Sequence, residues 1–126
     1  MINRIDHVVL TTRDEKASIH FYTQVLGMTL ECFDDNRKAL TFGQQKINLH
    51  LAFHEFEPRA HLPVPGSQDW CFIADVPLDK VIRTLTEHNV LIEEGPVERT
   101  GATGPIRSVY VRDPDGNLIE ISEYLH

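Results

Sequence analysis

The chain has 126 residues, a length that suits one compact domain or two very small fused modules. Its formal net charge of −7 argues against a nucleic-acid backbone or an anionic membrane as the main partner, which leaves small molecules and proteins. The two cysteines, Cys32 and Cys71, lack the spacing of a metal knuckle and indicate a reducing compartment. No stretch has the length of a signal-peptide core or a membrane helix, so we expect a cytoplasmic protein.

The first half of the chain has the pattern of one strand, one helix and three further strands. Residues 5–11 are rich in β-branched side chains and predict the first strand. Thr12 and Glu15 have the form of a capping box, and Gly27 is typical of a helix stop, so we expect a helix between them. The other strands are predicted at residues 28–33, 37–42 and 46–53. This order is a βαβββ module.

A proline-rich stretch separates the two halves. We place a surface linker at residues 56–67, between a first module at 1–55 and a second at 68–126. The same order of elements then returns, with a helix that begins near Pro77. Strands are predicted at residues 69–76, 91–93, 107–112 and 117–122. The sequence therefore predicts an internal repeat of two βαβββ modules, which is an α+β fold.

The last predicted strand carries one carboxylate among apolar residues. The segment 113–116, Asp-Pro-Asp-Gly, predicts a tight reversal before this strand. Period-2 geometry places Glu120 on the face opposite Ile119 and Ile121. Glu120 is therefore either an ordinary residue on the wet face of a sheet or part of a cup, where it binds a cation or moves a proton.

Two histidines occupy comparable positions in the first module. Sliding the halves over each other places His7 on Cys71 and His50 on Glu120. Two curved mixed sheets with their helices on the outer faces would bring His7, His50 and Glu120 to a shared concave cup. Two histidines and one carboxylate suit a divalent transition metal that keeps positions open for substrate oxygens. We therefore predict that these three residues bind a metal ion, with iron, manganese, nickel and zinc all compatible.

At these positions the chain resembles the glyoxalase, bleomycin-resistance and extradiol-dioxygenase superfamily, also called vicinal oxygen chelate proteins. The likeness rests on His7, on Phe21-Tyr22 with Leu26-Gly27, and on residues 113–120. Residues 37–43, 48–50 and 94–106 are similar to small glyoxalase-domain proteins that include virulence-associated bacterial members. The resemblance implies a metal-dependent enzyme for a small oxygen-rich substrate, in a homodimer whose sites are built from both chains. Glu120 is then expected to act also as the catalytic base.

Two positions differ from lactoylglutathione lyases, the nearest well-defined activity in this superfamily. Those enzymes usually have a histidine at the position of Cys71 and a carboxylate at the position of His50. Cys71 is either a fourth, thiolate ligand or a packing residue, and Asp69 on the same face is a weaker candidate. The ligand types also match extradiol dioxygenases. We expect a lyase-like or dioxygenase-like metalloenzyme, and the alternative is a metal-free small-molecule or drug-binding protein of the bleomycin-resistance type.

The glycine-rich loop from Arg99 to Arg107 is the second candidate feature. It either closes over an anionic substrate, with one of these arginines binding a carboxylate or phosphate, or it is a strand connector with solvated arginines. Tyr110, in the strand after the loop, is expected to line the cup or to pack in the core.

Overall fold

A computed structural model of the protein describes residues 1–126, which divide into two units, residues 1–67 and 68–126. Each unit contains one helix and one four-stranded mixed sheet. The predicted α+β fold with two repeated βαβββ modules is confirmed. No helix in the structure combines the length and the apolar character needed to cross a membrane.

Unit 1 follows the predicted order of elements. Its strands are β1 (His7–Thr12), β2 (Thr29–Phe33), β3 (Arg37–Phe42) and β4 (Gln45–Leu51), and its helix is α1 (Glu15–His20), which continues into a π-helical turn (Phe21–Val25). The sheet has the order β1-β4-β3-β2, in which β1 is parallel to β4 and the other pairs are antiparallel. The predicted stop at Gly27 is confirmed, since this residue has a φ of +79° that a side chain would disfavour.

The start of α1 differs from the prediction. The N-cap is Asp14, whose side chain accepts a hydrogen bond from the amide of Ala17 at 3.1 Å. Thr12 instead ends β1 and is fully buried, and its hydroxyl lies 2.7 Å from the hydroxyl of Ser18. The predicted cap at Thr12 was wrong because this hydroxyl is used between the strand and the helix.

Unit 2 repeats the architecture. Its elements are β5 (Asp69–Ile73), α2 (Leu78–Glu87), β6 (Glu94–Thr100), β7 (Pro105–Arg112) and β8 (Leu118–Tyr124). The sheet order β5-β8-β7-β6 corresponds to that of unit 1, with β5 parallel to β8. The strand predicted at residues 91–93 was wrong. Leu91 is exposed, and the ladder with β7 begins where Glu94 pairs with Tyr110.

The two faces of each sheet differ in character because side chains alternate along a strand. One face of each sheet is apolar and buried with the helix of the same unit. In unit 1 the buried apolar residues include Leu10, Tyr22, Leu40 and Ile47, and in unit 2 they include Leu85, Val109, Val111 and Ile119. The opposite faces carry the histidines and the carboxylate that the sequence singled out.

The turn before β8 is built as the sequence predicts. Asp113 accepts hydrogen bonds from the amides of Asp115 and Asn117, both at 2.9 Å, and Gly116 has a φ of +89°. The Asn117 side chain accepts a further bond from the amide of Gln68 at 2.7 Å. These bonds fix the start of β8 and therefore the position of Glu120.

Candidate functional site

Glu120 is half-buried on the polar face of the unit 2 sheet. Its Oε2 accepts a hydrogen bond from the Ser108 hydroxyl at 2.6 Å and a longer one from the Ser122 hydroxyl at 3.4 Å. The two serine hydroxyls are themselves 2.6 Å apart. Glu120 forms no ion pair. The chain thus orients this carboxylate with hydroxyl groups, and Arg99 is close enough for Glu120 to help raise the pKa of that guanidinium.

Cys71 lies beside Glu120, since the two residues are paired between β5 and β8. Its Sγ is 3.3 Å from the Ser122 hydroxyl. The residue is exposed, so its interpretation as a packing residue does not hold within unit 2. The sulfur itself is partly covered, and this desolvation raises the pKa of the thiol. Asp69, the weaker candidate, is exposed on the same strand and pairs with Leu118.

Tyr110 is on the other side of Glu120, paired with it between β7 and β8. Its hydroxyl accepts a hydrogen bond from Nε of Arg99 at 3.1 Å, and the guanidinium carbon lies 5.6 Å from the centre of the ring. Desolvation raises the pKa of Tyr110. Arg99, which lies in β6 and forms an ion pair with Glu94 at 3.4 Å, is therefore next to the residue that pairs with Glu120.

Arg107, which lies in β7, is paired with two carboxylates of its own unit. Its guanidinium donates to Oε2 of Glu123 at 3.1 Å and to Oδ1 of Asp79 at 3.0 Å. These contacts join β7, β8 and the first turn of α2. An anion at Arg107 would therefore compete with these two carboxylates, and its role as an anion-binding residue stays a prediction.

In unit 1, His7 is exposed at the start of β1. Its Nδ1 is 2.8 Å from Oδ2 of Asp6, and this hydrogen bond lowers the pKa of the Asp6 carboxyl. A carboxylate that holds one ring nitrogen fixes the orientation of the imidazole and leaves Nε2 for another partner. This is the usual outer-shell arrangement of histidines that bind metal ions.

His50 has a different environment, since it is only 2% exposed. Its Nε2 lies 3.4 Å from Nη2 of Arg37, and the ring of Phe56 covers it with centroids 5.5 Å apart. A guanidinium only donates hydrogen bonds, so Nε2 accepts and the proton of the neutral ring is on Nδ1. Burial and then Arg37 lower the pKa of His50, which agrees with a neutral ring.

The strand pairing separates the two histidines. His7 pairs with Lys46, whereas His50 pairs with Thr11, four residues further along β4 and roughly 13 Å away at the usual rise of a strand. In unit 2, Cys71 pairs directly with Glu120. The alignment of His7 with Cys71 and that of His50 with Glu120 therefore cannot both hold, since they differ in strand register by four residues. An even shift keeps a side chain on the same face, so the sequence pattern does not reveal it.

Neither unit by itself groups three His, Cys, Asp or Glu side chains in a way that could hold a metal ion. Within unit 2 the structure brings Glu120 together with Cys71, Ser108 and Tyr110. Within unit 1 it does not bring His7 together with His50. The sequence pattern did not single out the two serines or Asp6. The available signal was the period-2 spacing for the serines and the position next to His7 for Asp6.

Comparison with known proteins identifies the family. The model of the Glyoxalase/Bleomycin resistance protein/Dioxygenase superfamily matches residues 4–121. The chain therefore belongs to this superfamily, as the resemblance of its motifs implied.

Individual relatives cover nearly the whole chain. The chain is 57% identical over 125 residues to virulence protein STM3117 of Salmonella typhimurium, a match that covers 99% of this chain and 87% of that protein. The crystal structure of that protein superposes with a TM-score of 0.97 over 99% of both chains. Glyoxalase domain-containing protein RDO1 of Mycosarcoma maydis is 53% identical over 98% of this chain and 69% of its own length. Metallothiol transferase FosB of Staphylococcus saprophyticus is 28% identical over 96% of this chain and 77% of its own length.

Proposed function

We propose that this protein is a divalent-metal-dependent enzyme that acts on a small oxygen-rich molecule by a lyase-like or dioxygenase-like reaction. The observation that carries the proposal is Glu120, a half-buried carboxylate held by Ser108 and without a direct ion pair. A carboxylate oriented in this way is a preorganised ligand for a metal ion. The name of the more distant relative, a metallothiol transferase, supports the same class.

The ligands proposed from the sequence are His7, His50 and Glu120, but His7 and His50 lie too far apart on their strands to bind one ion together. His7 suits this role because Asp6 orients its ring and leaves Nε2 as the binding nitrogen. His50 suits it less well, because its accepting nitrogen faces Arg37, whose positive charge repels a cation. Cys71 is the alternative third ligand, since it pairs with Glu120.

A divalent ion bound by these residues would act as a Lewis acid that stabilises negative charge on substrate oxygens. The chain's own groups supply orientation and proton transfer. Ser108 and Ser122 hold one oxygen of Glu120, which positions this carboxylate as the base that takes a proton from the substrate. Tyr110 accepts a bond from Arg99 and also interacts with Glu120, so its own hydroxyl proton is directed toward that carboxylate.

The test is the metal content of tag-free protein after reconstitution with each candidate metal. We expect about one ion per chain, and we expect His7→Ala and Glu120→Ala to lose most of it because a removed ligand is not replaced in place. His20→Ala, an exposed histidine on α1, is the matched control and should retain the ion. The metal content of His50→Ala is compared with that of Cys71→Ala, and the variant that loses more metal identifies the third ligand. Full occupancy in both His7→Ala and Glu120→Ala would contradict the proposal.

The reaction class can be separated with two substrates. We expect little turnover of methylglyoxal with glutathione, because Cys71 stands where lactoylglutathione lyases usually have a histidine. Robust formation of lactoylglutathione by the pure, metal-loaded protein would show that this difference is unimportant. Oxygen uptake with catechols would instead favour the dioxygenase-like reaction.

A metal-free binding protein is the second candidate function. Val9 and Ile73 lie on the same faces as His7 and Glu120, and they are 38% and 51% exposed. An apolar ligand that covers such side chains would be bound through the hydrophobic effect. Ligand binding that survives treatment with a chelator would favour this function over the metalloenzyme.

We also propose that the protein forms a homodimer in which both chains contribute to each site. Proteins of this superfamily often pair their modules across a two-fold axis, which supports the proposal.

A further inference from the structure

A second candidate site lies in unit 1, on the face of the sheet that carries His50. Two polar atoms there are buried without a hydrogen-bond partner, Nδ1 of His50 and Oδ1 of Asn48. The two residues are 2% and 6% exposed. Buried polar groups are nearly always paired in native proteins, so a ligand that completes these two bonds is favoured at this position.

The chemistry of the two atoms limits what can complete them. The Nδ1 of His50 carries the ring proton and donates, because Nε2 faces the Arg37 guanidinium. The Oδ1 of Asn48 accepts. These residues are two apart in β4, so their side chains are neighbours on one face. A hydroxyl oxygen accepts one bond and donates the other, whereas an ammonium cannot accept and a carbonyl cannot donate.

Two cationic side chains lie against the ring of Phe33, and one of them, Arg37, also faces His50. The guanidinium carbon of Arg37 is 4.6 Å from the ring centre of Phe56 and 5.3 Å from that of Phe33. The Nζ of Lys46 is 4.1 Å from the ring centre of Phe33. Neither cation forms a direct ion pair, although Lys46 is close enough to Asp6 to help lower the pKa of that carboxyl. Two like charges at one ring repel each other, and an anion placed between them relieves this repulsion.

The carboxylates on the covering segment are engaged with that segment itself. Glu55 and Glu57 are close enough to the imidazole to raise its pKa, an effect smaller than the lowering by burial and Arg37. Glu55 accepts from the amide of Phe53 at 2.9 Å, and Glu57 accepts from Arg59 at 3.2 Å. The guanidinium of Arg37 keeps donors that are free for a planar anion, which a carboxylate matches with two parallel bonds.

From these contacts we infer that Asn48, His50 and Arg37 form a binding site for a small carboxylate that carries a neighbouring hydroxyl group. The carboxylate binds the guanidinium with help from Lys46, and the hydroxyl bridges His50 and Asn48. Phe56 is the cover. This site requires neither a bound metal ion nor the proposed enzymatic activity.

Glycolate and acetate test the inference, since they differ only by the hydroxyl group. Calorimetric titration of the full, metal-free chain at low salt should give millimolar binding of glycolate. Acetate should bind at least about fivefold more weakly, because it cannot bridge the two buried atoms. Asn48→Leu should abolish this preference and retain acetate binding. Arg37→Met should weaken both ligands at least about tenfold.

The matched control is Arg83→Met, which removes the same charge from an exposed position on α2 and should bind both ligands like the wild type. The ring signals of His50 in nuclear magnetic resonance spectra of the wild type give a second measurement that does not depend on a variant. They should shift with glycolate while those of His20 stay unchanged. No saturable binding, equal affinity for the two anions, or unchanged binding by folded Arg37→Met would overturn the inference. Metal analysis of the same protein tests the proposed function separately.

Discussion

The two units share one topology and differ on their polar faces. In unit 1 the polar face is closed over His50 by Arg37 and Phe56. In unit 2 it leaves Cys71 exposed beside a carboxylate held by serine hydroxyls. The apolar faces must bury a helix and therefore repeat, whereas the polar faces are free of that constraint and carry different chemistry.

The helices show the same contrast between local and long-range control. The first turn of α1 is capped by Asp14, which is adjacent to the helix in sequence. The first amide of α2, that of Leu78, donates instead to the side chain of Glu123 at 2.9 Å, and Arg107 joins this carboxylate to Asp79. Unit 2 thus needs its last strand in place before its helix is capped.

The largest expected effect is on metal binding, and it tests whether unit 1 of one chain and unit 2 of a second chain form a metal site together. A His7→Ala chain and a Glu120→Ala chain, unfolded together and refolded, should recover about a quarter of the wild-type metal binding. About half of randomly mixed dimers contain both chains, and each of these has one intact and one doubly damaged site. Each variant refolded alone is the control. Absence of metal in preparations proven to contain mixed dimers would remove the shared-site model and leave the ligand assignment standing.

The second effect is on the free energy of unfolding when a glycine of either unit is replaced by alanine. An added Cβ at Gly95 would meet the Ser108 carbonyl oxygen at 2.4 Å, whereas one at Gly43 would meet nothing within 4 Å. Both residues have a positive φ. We expect Gly95→Ala to lower the free energy of unfolding by about 3 kcal/mol and Gly43→Ala by about 1 kcal/mol. Chemical denaturation measures both, and equal losses would show that the close approach at Gly95 relaxes without cost.

The third effect concerns the hydroxyl that holds Glu120. Ser108→Ala should weaken metal binding by about 10-fold to 100-fold, the usual effect of removing an outer-shell partner. Thr41→Ala, on β3 of unit 1, is the control, since its hydroxyl bonds only to the Thr29 carbonyl. Competition with a chelating dye gives the affinities. Unchanged affinity in Ser108→Ala would mean that the serine does not orient the ligand.

The smallest expected effect is the difference in the free energy of unfolding between loss of the α2 cap and loss of the α1 cap. Glu123→Ala should lower the free energy of unfolding by about 1.5 kcal/mol, because it removes both the α2 cap and a partner of Arg107. Asp14→Ala, which removes only a local cap, should cost about 1 kcal/mol. Thermal unfolding of both variants at equal protein concentration is the measurement. A larger loss for Asp14→Ala would contradict the importance of the long-range cap.

The sequence by itself determined the repeat of two βαβββ modules, the stop at Gly27, the turn at residues 113–116 and the faces of His7, His50 and Glu120. These features follow from periodicity and from local backbone preferences, which act within a few residues. Only the tertiary structure decided the pairing of β1 with β4, which separates His7 from His50, and the covering of His50 by Arg37 and Phe56. Strand register depends on residues far apart in the chain, and a shift by an even number of residues leaves every side chain on its original face.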